Sequence, residues 1–338
     1  MITVDGSYGE GGGQIVRTAL ALSVCNQIPI KIINIRANRP KPGLAWQHLV
    51  AVKAAAAISN ARVNGDKHQS QELSFTPNGI SHGQYNFDIG TAGSTSLVLQ
   101  TILPPLILSQ GSSKIRIIGG THNPLAPTYD FLNCVYFPLL RKMGVQINSE
   151  ILRPGFYPRG GGQVVVDLSV PATLTPLYLE QPGKLLEINA RAMVAGLPKH
   201  IAEREINTLQ LDLIHPIFKS SIQELPQEYG PGNIVTVEVK RENITELFTA
   251  FGQKRIPAEI VASRLSKEVN NYLSSNVPVG IHLADQLVLP LALCGKGYFL
   301  TQNPSKHTLT NIHIIQLLTD INMCIEQIAE ERCKISVA

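Results

Sequence analysis

The chain has 338 residues, 44% of them hydrophobic and 16% charged, which fits a well-buried soluble protein of more than one domain and excludes a disordered chain. Its formal net charge of +4 is compatible with an anionic partner but too small for a general nucleic-acid coat, so any such contact falls to a local arginine cluster. No apolar run approaches a membrane span, and the N-terminus has no basic segment leading into an apolar one. Neither a membrane partner nor a signal peptide is therefore expected, and the expected location is cytoplasmic.

The first predicted helix begins in a glycine-rich turn, "GGGQIVRTALALS" at 11–23. Two later segments look like it, "AGSTSLVLQTILPPLIL" at 92–108 and "GIHLADQLVLPLALC" at 280–294. Each opens with small residues and becomes apolar nearly all round, the pattern of a buried helix. With the apolar runs aligned, Arg17, Gln100 and Gln286 fall at equivalent positions. A buried polar group is costly unless partnered, so three at one position imply three helices facing a common polar site. A second predicted helix follows each first one, at 47–61, 129–144 and 311–321, each after a proline-containing loop. Alternating segments such as "SKIRIIG" and "GGGQVVVDLSV" read as strands. The repeat is strands plus two helices, in an α+β or α/β architecture of three similar modules.

The modules are unevenly spaced: 83 residues separate Arg17 from Gln100, and 186 separate Gln100 from Gln286. An inserted domain of about 100 residues accounts for the excess. The three-repeat unit then covers 1–180 and 279–338, and the insert covers 181–278. The insert contains a predicted helix in "KHIAEREINTLQLDLI", a strand in "GNIVTVEVKR", a long amphipathic stretch in "PAEIVASRLSKEVNNYLSS", and no cysteine. The five cysteines, Cys25, Cys134, Cys294, Cys324 and Cys333, form no CxxC pair and mostly lie in apolar runs. They read as buried reduced thiols rather than zinc ligands.

Several loops carry residues suited to chemistry. In "GEGGGQ" successive glycines allow close backbone approach, and the helix start favours an anion; alone, the motif reads better as a tight strand–helix turn. Glu10 would repel phosphate there unless a cation such as Mg²⁺ or Mn²⁺ bridged it to a triphosphate. In "IRANRPKPGLAWQH", Arg36, Arg39 and Lys41 form either a solvated basic loop or an arginine fork for phosphate, with Gln47 and His48 as further donors. In "IHLADQ", Asp285 is either a helix cap or, with Gln286, a ligand for ribose hydroxyls and an α-phosphate. In "NPSKHTLTN", His307 lies just ahead of a helix capped by Thr308, Thr310 or Asn311. It is placed to act as a base or as a nucleophile toward phosphorus. Gly160, Gly161 and Gly162 of "RPGFYPRGGGQVVV" read as structural.

Taken together, "GFYPRGGGQV", "DGSYGEGGGQIVR", "IRANRPKPGLAWQHL", "GTAGSTSLVLQT", "HLADQLVLPLAL" and "NPSKHTLTN" make the chain resemble the RNA 3'-terminal phosphate cyclases over essentially its full length. The resemblance implies three modules like the C-terminal domain of a translation initiation factor, plus an inserted α/β domain of thioredoxin-like topology. It implies an ATP-dependent ligase or nucleotidyltransferase whose nucleophile is His307. That histidine would take AMP from ATP with release of pyrophosphate and pass it to an RNA 3'-phosphate, after which the 2'-hydroxyl would close a 2',3'-cyclic phosphate and release AMP. A 3'-phosphate is a poor electrophile, and adenylation installs a leaving group.

The implied roles are Glu10 as ligand of Mg²⁺ or Mn²⁺; Gln100, Pro127, His282, Leu283, Ala284, Asp285 and Gln286 for ATP, with Pro127 packing on adenine; and Arg17, Arg36, Arg39, Gln47 and His48 for RNA and phosphate. Well-known members carry a tyrosine where this chain has His282, which stacks on adenine with less area. The implied partners are ATP and RNA 3'-phosphate ends, with a homodimer as an option. Two other readings are a non-catalytic cyclase-like protein of ribosome biogenesis, against which His307 argues, and an enolpyruvyl-type transferase, which shares the modular architecture but needs no such histidine.

Overall fold

The structure, a computed structural model, describes residues 1–170 and 173–337. Its first module runs β1 (Ile2–Asp5), α1 (Gly13–Asn26), β2 (Ile30–Ile33), α2 (Trp46–Ser59), β3 (Arg62–Asn64) and β4 (Leu73–Thr76). β1 and β2 are parallel, as a strand–helix–strand crossover requires, while β4 pairs antiparallel with both β2 and β3. The second module repeats this with β5 (Gln84–Asp88), α3 (Thr95–Leu108), β6 (Gly111–Gly119), α4 (Tyr129–Phe131), α5 (Phe137–Lys142), β7 (Gln146–Arg153) and β8 (Gly162–Val170). A π-helical turn, Leu132–Tyr136, joins α4 to α5.

The third module opens with β9 (Leu177–Leu179) and is then interrupted. The chain builds a separate sheet from β10 (Leu185–Ala195), β11 (Lys219–Leu225), β12 (Gly232–Arg241) and β13 (Thr245–Phe251), with α6 (His200–Asp212) and α7 (Ala258–Ser275) packed on it. The module resumes with α8 (Ile281–Cys294), β14 (Gly297–Thr301), α9 (Lys306–Leu318), β15 (Met323–Ala329) and β16 (Arg332–Val337). The sheet orders β1-β2-β4-β3, β5-β6-β8-β7 and β9-β14-β16-β15 are one topology used three times. The fourth sheet differs, with order β11-β10-β12-β13.

Packing follows from the apolar helices. α1 lies against α2, α3 and α9, and α3 also meets α8. One core joins all three modules, while the 185–275 unit has its own. Ile15, Leu20, Ile102 and Leu287 are fully buried, and each such side chain is worth about 1.5–3 kcal/mol of transfer free energy. Gly13 is required by packing: a Cβ there would sit 2.1 Å from His48 Cε1. Gly160 (φ 69°) presses on Ala92, and Phe156 covers Gly232. Phe156 stacks on His122, which contacts Asp130, and Asp130 reaches Arg191 of β10 at 2.6 Å. Burial opposes ionisation of Asp130, but His122 and Arg191 outweigh it and hold its carboxyl down to about 2.

Three expectations are corrected. The cap of α9 is Ser305, whose Oγ accepts the Thr308 N–H at 3.1 Å, so His307 lies inside the first turn. Thr308, Thr310 and Asn311 are instead buried, with Thr308 and Asn311 bonded to neighbouring helices. Asp285 lies inside α8, whose cap is Gly280. Of the five free cysteines only Cys333 is fully buried; Cys25, Cys134 and Cys294 are partly buried, and Cys324 is exposed on the edge strand β15.

Candidate active site

Arg17, Gln100 and Gln286 each sit near the start of α1, α3 and α8, and the three side chains touch in series. Arg17 Nε donates to Gln100 Oε1 at 3.0 Å, and Gln100 Nε2 donates to Gln286 Oε1. The equivalence read from the repeat is a hydrogen-bonded chain across three modules. α9 joins it: Gln14 Nε2 and Thr18 Oγ1 both donate to Asn311 Oδ1, and Asn311 Nδ2 donates to the Asp285 carbonyl at 3.0 Å. Each bond satisfies a polar group that would be expensive to bury alone.

A cavity of about 470 Å³ opens over this chain, lined by Arg17, Gln100, Asp285, Gln286 and His307. That volume suits a small-molecule ligand. The loop 124–128, with Pro127 and the fully exposed Leu125, lines it as well. So do β13 and α7 of the 185–275 unit, through Phe251, Arg264 and Glu268. Sequence reasoning missed these last residues, because that unit has no repeat partner to align them with.

Charge is unevenly compensated here. Arg17 is 7% exposed, and its guanidinium donates to the neutral amides of Gln100 and Gln14, not to a carboxylate. Burial lowers it to about 10, with Glu10 partly offsetting, so it remains cationic at neutral pH. A buried cation without a contact anion is a standing cost that an anionic ligand removes. Arg36, held with φ at 53°, donates to the Gly43 carbonyl at 2.9 Å and is lowered by burial and by the like charge of Arg39. His48 is pushed well below its ordinary value by burial and by Arg17 and Arg36, and its buried Nδ1 has no partner. Gln47 Oε1 accepts the Ser94 N–H at the start of α3. Arg36, Arg39, Gln47 and His48 do not line the cavity.

Glu10 links the two clusters, bonding Arg39 at 3.1 Å and His307 Nε2 at 3.2 Å. Burial works against its charge, but His307, Arg39 and Arg17 together hold its carboxyl below the usual range. His307 is raised, chiefly by its bond to Glu10. Asp285 Oδ1 accepts from Ser305 Oγ and Thr308 Oγ1, both at 2.5 Å, and burial raises its carboxyl against those bonds. His282 lines the cavity but is engaged with Glu268 of α7 at 3.1 Å. Leu283 and Ala284 are fully buried in the core and do not line the cavity. The start of α8 is held by Glu246 of β13, whose Oε1 accepts the Gly280 N–H at 2.6 Å. Burial pushes that carboxyl up to about 8.

Among the described residues no group of three or more His, Cys, Asp or Glu could hold a metal ion. Glu10, a single carboxylate, fits an ion that brings phosphate and water ligands with it rather than one caged by protein.

The cavity thus brings a buried cation, Arg17, together with a histidine in the first turn of α9, a setting compatible with an anionic ligand. A family model described as RNA 3'-terminal phosphate cyclase matches residues 8–325. The chain belongs to that family, and membership supports a function of the RNA 3'-phosphate cyclase type. Among the described residues no helix is long and apolar enough to cross a membrane.

Proposed function

We propose that the chain is a catalytically active cyclase that converts an RNA 3'-terminal phosphate to a 2',3'-cyclic phosphodiester at the expense of ATP. The observation that carries this reading is the buried Arg17, cationic and without a contact carboxylate, in one cavity with His307. A neutral His307 imidazole attacks the α-phosphorus of ATP, forming the N–P bond as pyrophosphate leaves. An oxygen of the RNA 3'-phosphate then displaces the histidine, giving RNA(3')pp(5')A. The 2'-hydroxyl loses its proton and attacks the 3'-phosphorus, and AMP departs. Three displacements, each with a good leaving group, replace one with none.

In this reading Gln100, Gln286 and Pro127 position ATP, and the Asp285 carboxylate suits ribose hydroxyls better than phosphate. His282 stacks on adenine once it leaves Glu268. Arg17, Arg36, Arg39, Gln47 and His48 take the RNA phosphate, where paired guanidinium groups bind oxyanions bidentately. Glu10 would hold Mg²⁺ or Mn²⁺, which when bound neutralises triphosphate charge. Glu10 also raises His307, so the imidazole becomes a nucleophile only when that pairing loosens.

Residues 1–180 and 279–338 serve as the catalytic domain, its modules like the C-terminal domain of a translation initiation factor. Residues 181–278 are an inserted domain of thioredoxin-like topology, a reading supported by its separate core and strand order.

The test is incubation with α-labelled ATP and a 3'-phosphorylated oligoribonucleotide. Acid-labile label on the protein, followed by a cyclic RNA end, is expected. A folded protein that takes no label and closes no end would replace this reading with the non-catalytic one.

A further inference from the structure

The chain has a single tryptophan, and it is not in a core. Trp46 opens α2 with 49% of its surface exposed. Its indole lies flat on the imidazole of His68, with ring centroids 4.4 Å apart and planes 12° from parallel. His68 is itself exposed, so burial does not account for the stack. His68 stacks on one indole face, and 49% of the Trp46 surface remains exposed.

The plate sits where two loops are laced together. The Leu44 N–H donates to the Ser70 carbonyl at 3.0 Å, and the Gln69 N–H donates to the Leu44 carbonyl at 2.8 Å. Gly43 lies so close to this turn that a Cβ would sit 2.2 Å from the Gln69 carbonyl. Loops 36–46 and 65–70 carry Arg36, Arg39, Lys41 and Lys67 against one carboxylate, Asp66. Trp46 immediately precedes Gln47 and His48, and the charges of Arg17 and Arg36 act on His48. An exposed aromatic face within a basic surface, next to a phosphate-binding cluster, is the arrangement that holds single-stranded nucleic acid.

We propose that Trp46, backed by His68, is a stacking platform for a nucleobase at the 3' end of the RNA whose terminal phosphate rests on the neighbouring arginines. This inference rests on the RNA reading above. It adds a subsite outside the ATP cavity, which Trp46 does not line. Stacking does not discriminate strongly among bases, so the platform accepts RNA ends of varied sequence.

Because Trp46 is the only indole, its fluorescence reports on this one site. A 3'-phosphorylated oligoribonucleotide added to the full chain is expected to quench it. The same oligonucleotide with abasic residues at its last two positions should bind about five- to hundred-fold more weakly and without quenching, the range for loss of one stacked base. Trp46→Ala should lose affinity to the same extent, and Trp46→Phe should recover most of it. Binding of a labelled oligonucleotide is followed in parallel by anisotropy. If it binds with no quenching and no loss on Trp46→Ala, the platform is overturned while the RNA reading stands. If ATP alone quenches fully and the oligonucleotide adds nothing, the platform is equally overturned. If no oligonucleotide binds the wild type, the RNA reading falls and the platform with it.

Discussion

His307 and His282 line the same cavity, and each pairs with a carboxylate, Glu10 at 3.2 Å and Glu268 at 3.1 Å. Their surroundings differ. Glu10 is 13% exposed at the side chain, also bonds Arg39, and joins the first module to the third. Glu268 belongs to α7 and is 36% exposed, with His282 67% exposed against 47% for His307. A screened, exposed pair contributes about 0–1 kcal/mol, whereas a pair beside a buried guanidinium acts in a medium where charge counts for more. The same two residue types therefore sit in different electrostatic settings, which the proposed chemistry would use in one place and not in the other.

The contrast is broken first at the histidines. His307→Ala is expected to lower self-labelling by α-labelled ATP on the order of 10⁴-fold or more, the scale for losing a nucleophile. His282→Ala should cost less than about ten-fold, the value of one partial stack. Equal losses in a side-by-side labelling assay would show that the two sites are not functionally distinct.

The carboxylates come next. Glu10→Gln should reduce labelling by about 10–100-fold and weaken its metal dependence. It should also move the acid limb of the pH–rate profile to lower pH. The sign follows from the chemistry: attack needs neutral imidazole, Glu10 raises His307, and removing Glu10 lets the proton leave at lower pH. Glu268→Gln should leave that limb in place. A profile of rate against pH for both variants decides this.

The smallest effect concerns Glu246. Glu246 is buried with its carboxyl pushed up to about 8, so the folded state holds a proton that the unfolded chain releases at the ordinary glutamate value. Stability then falls as pH rises from that range through about 8. Glu246→Gln keeps an acceptor for the Gly280 N–H and should flatten the decline, read as Tm against pH. An unchanged slope would show that Glu246 is not the titrating group.

Much of this was legible in advance because burial makes polar residues conspicuous. Arg17, Gln100 and Gln286 stood out in apolar helices, and their spacing exposed both the repeat and the interruption. The first helices lie within a few residues of their predicted bounds, since small residues mark their starts. α9 was misjudged by five residues at its start. Thr308 and Asn311 look like capping residues on composition, and only their hydrogen bonds to other helices show that they are buried.

From sequence alone came the expectation of three modules with an interruption near the third, the family, and the polar positions that hydrogen-bond in series; all depend on local periodicity and on residue types read in order. Tertiary structure alone decided that Glu10 holds His307, that Phe251, Arg264 and Glu268 bring a second unit to the cavity, and that an exposed Trp46 stacks on His68. Each of these is a contact between residues far apart in the chain or an exposure set by packing, and neither leaves a periodic trace in the sequence.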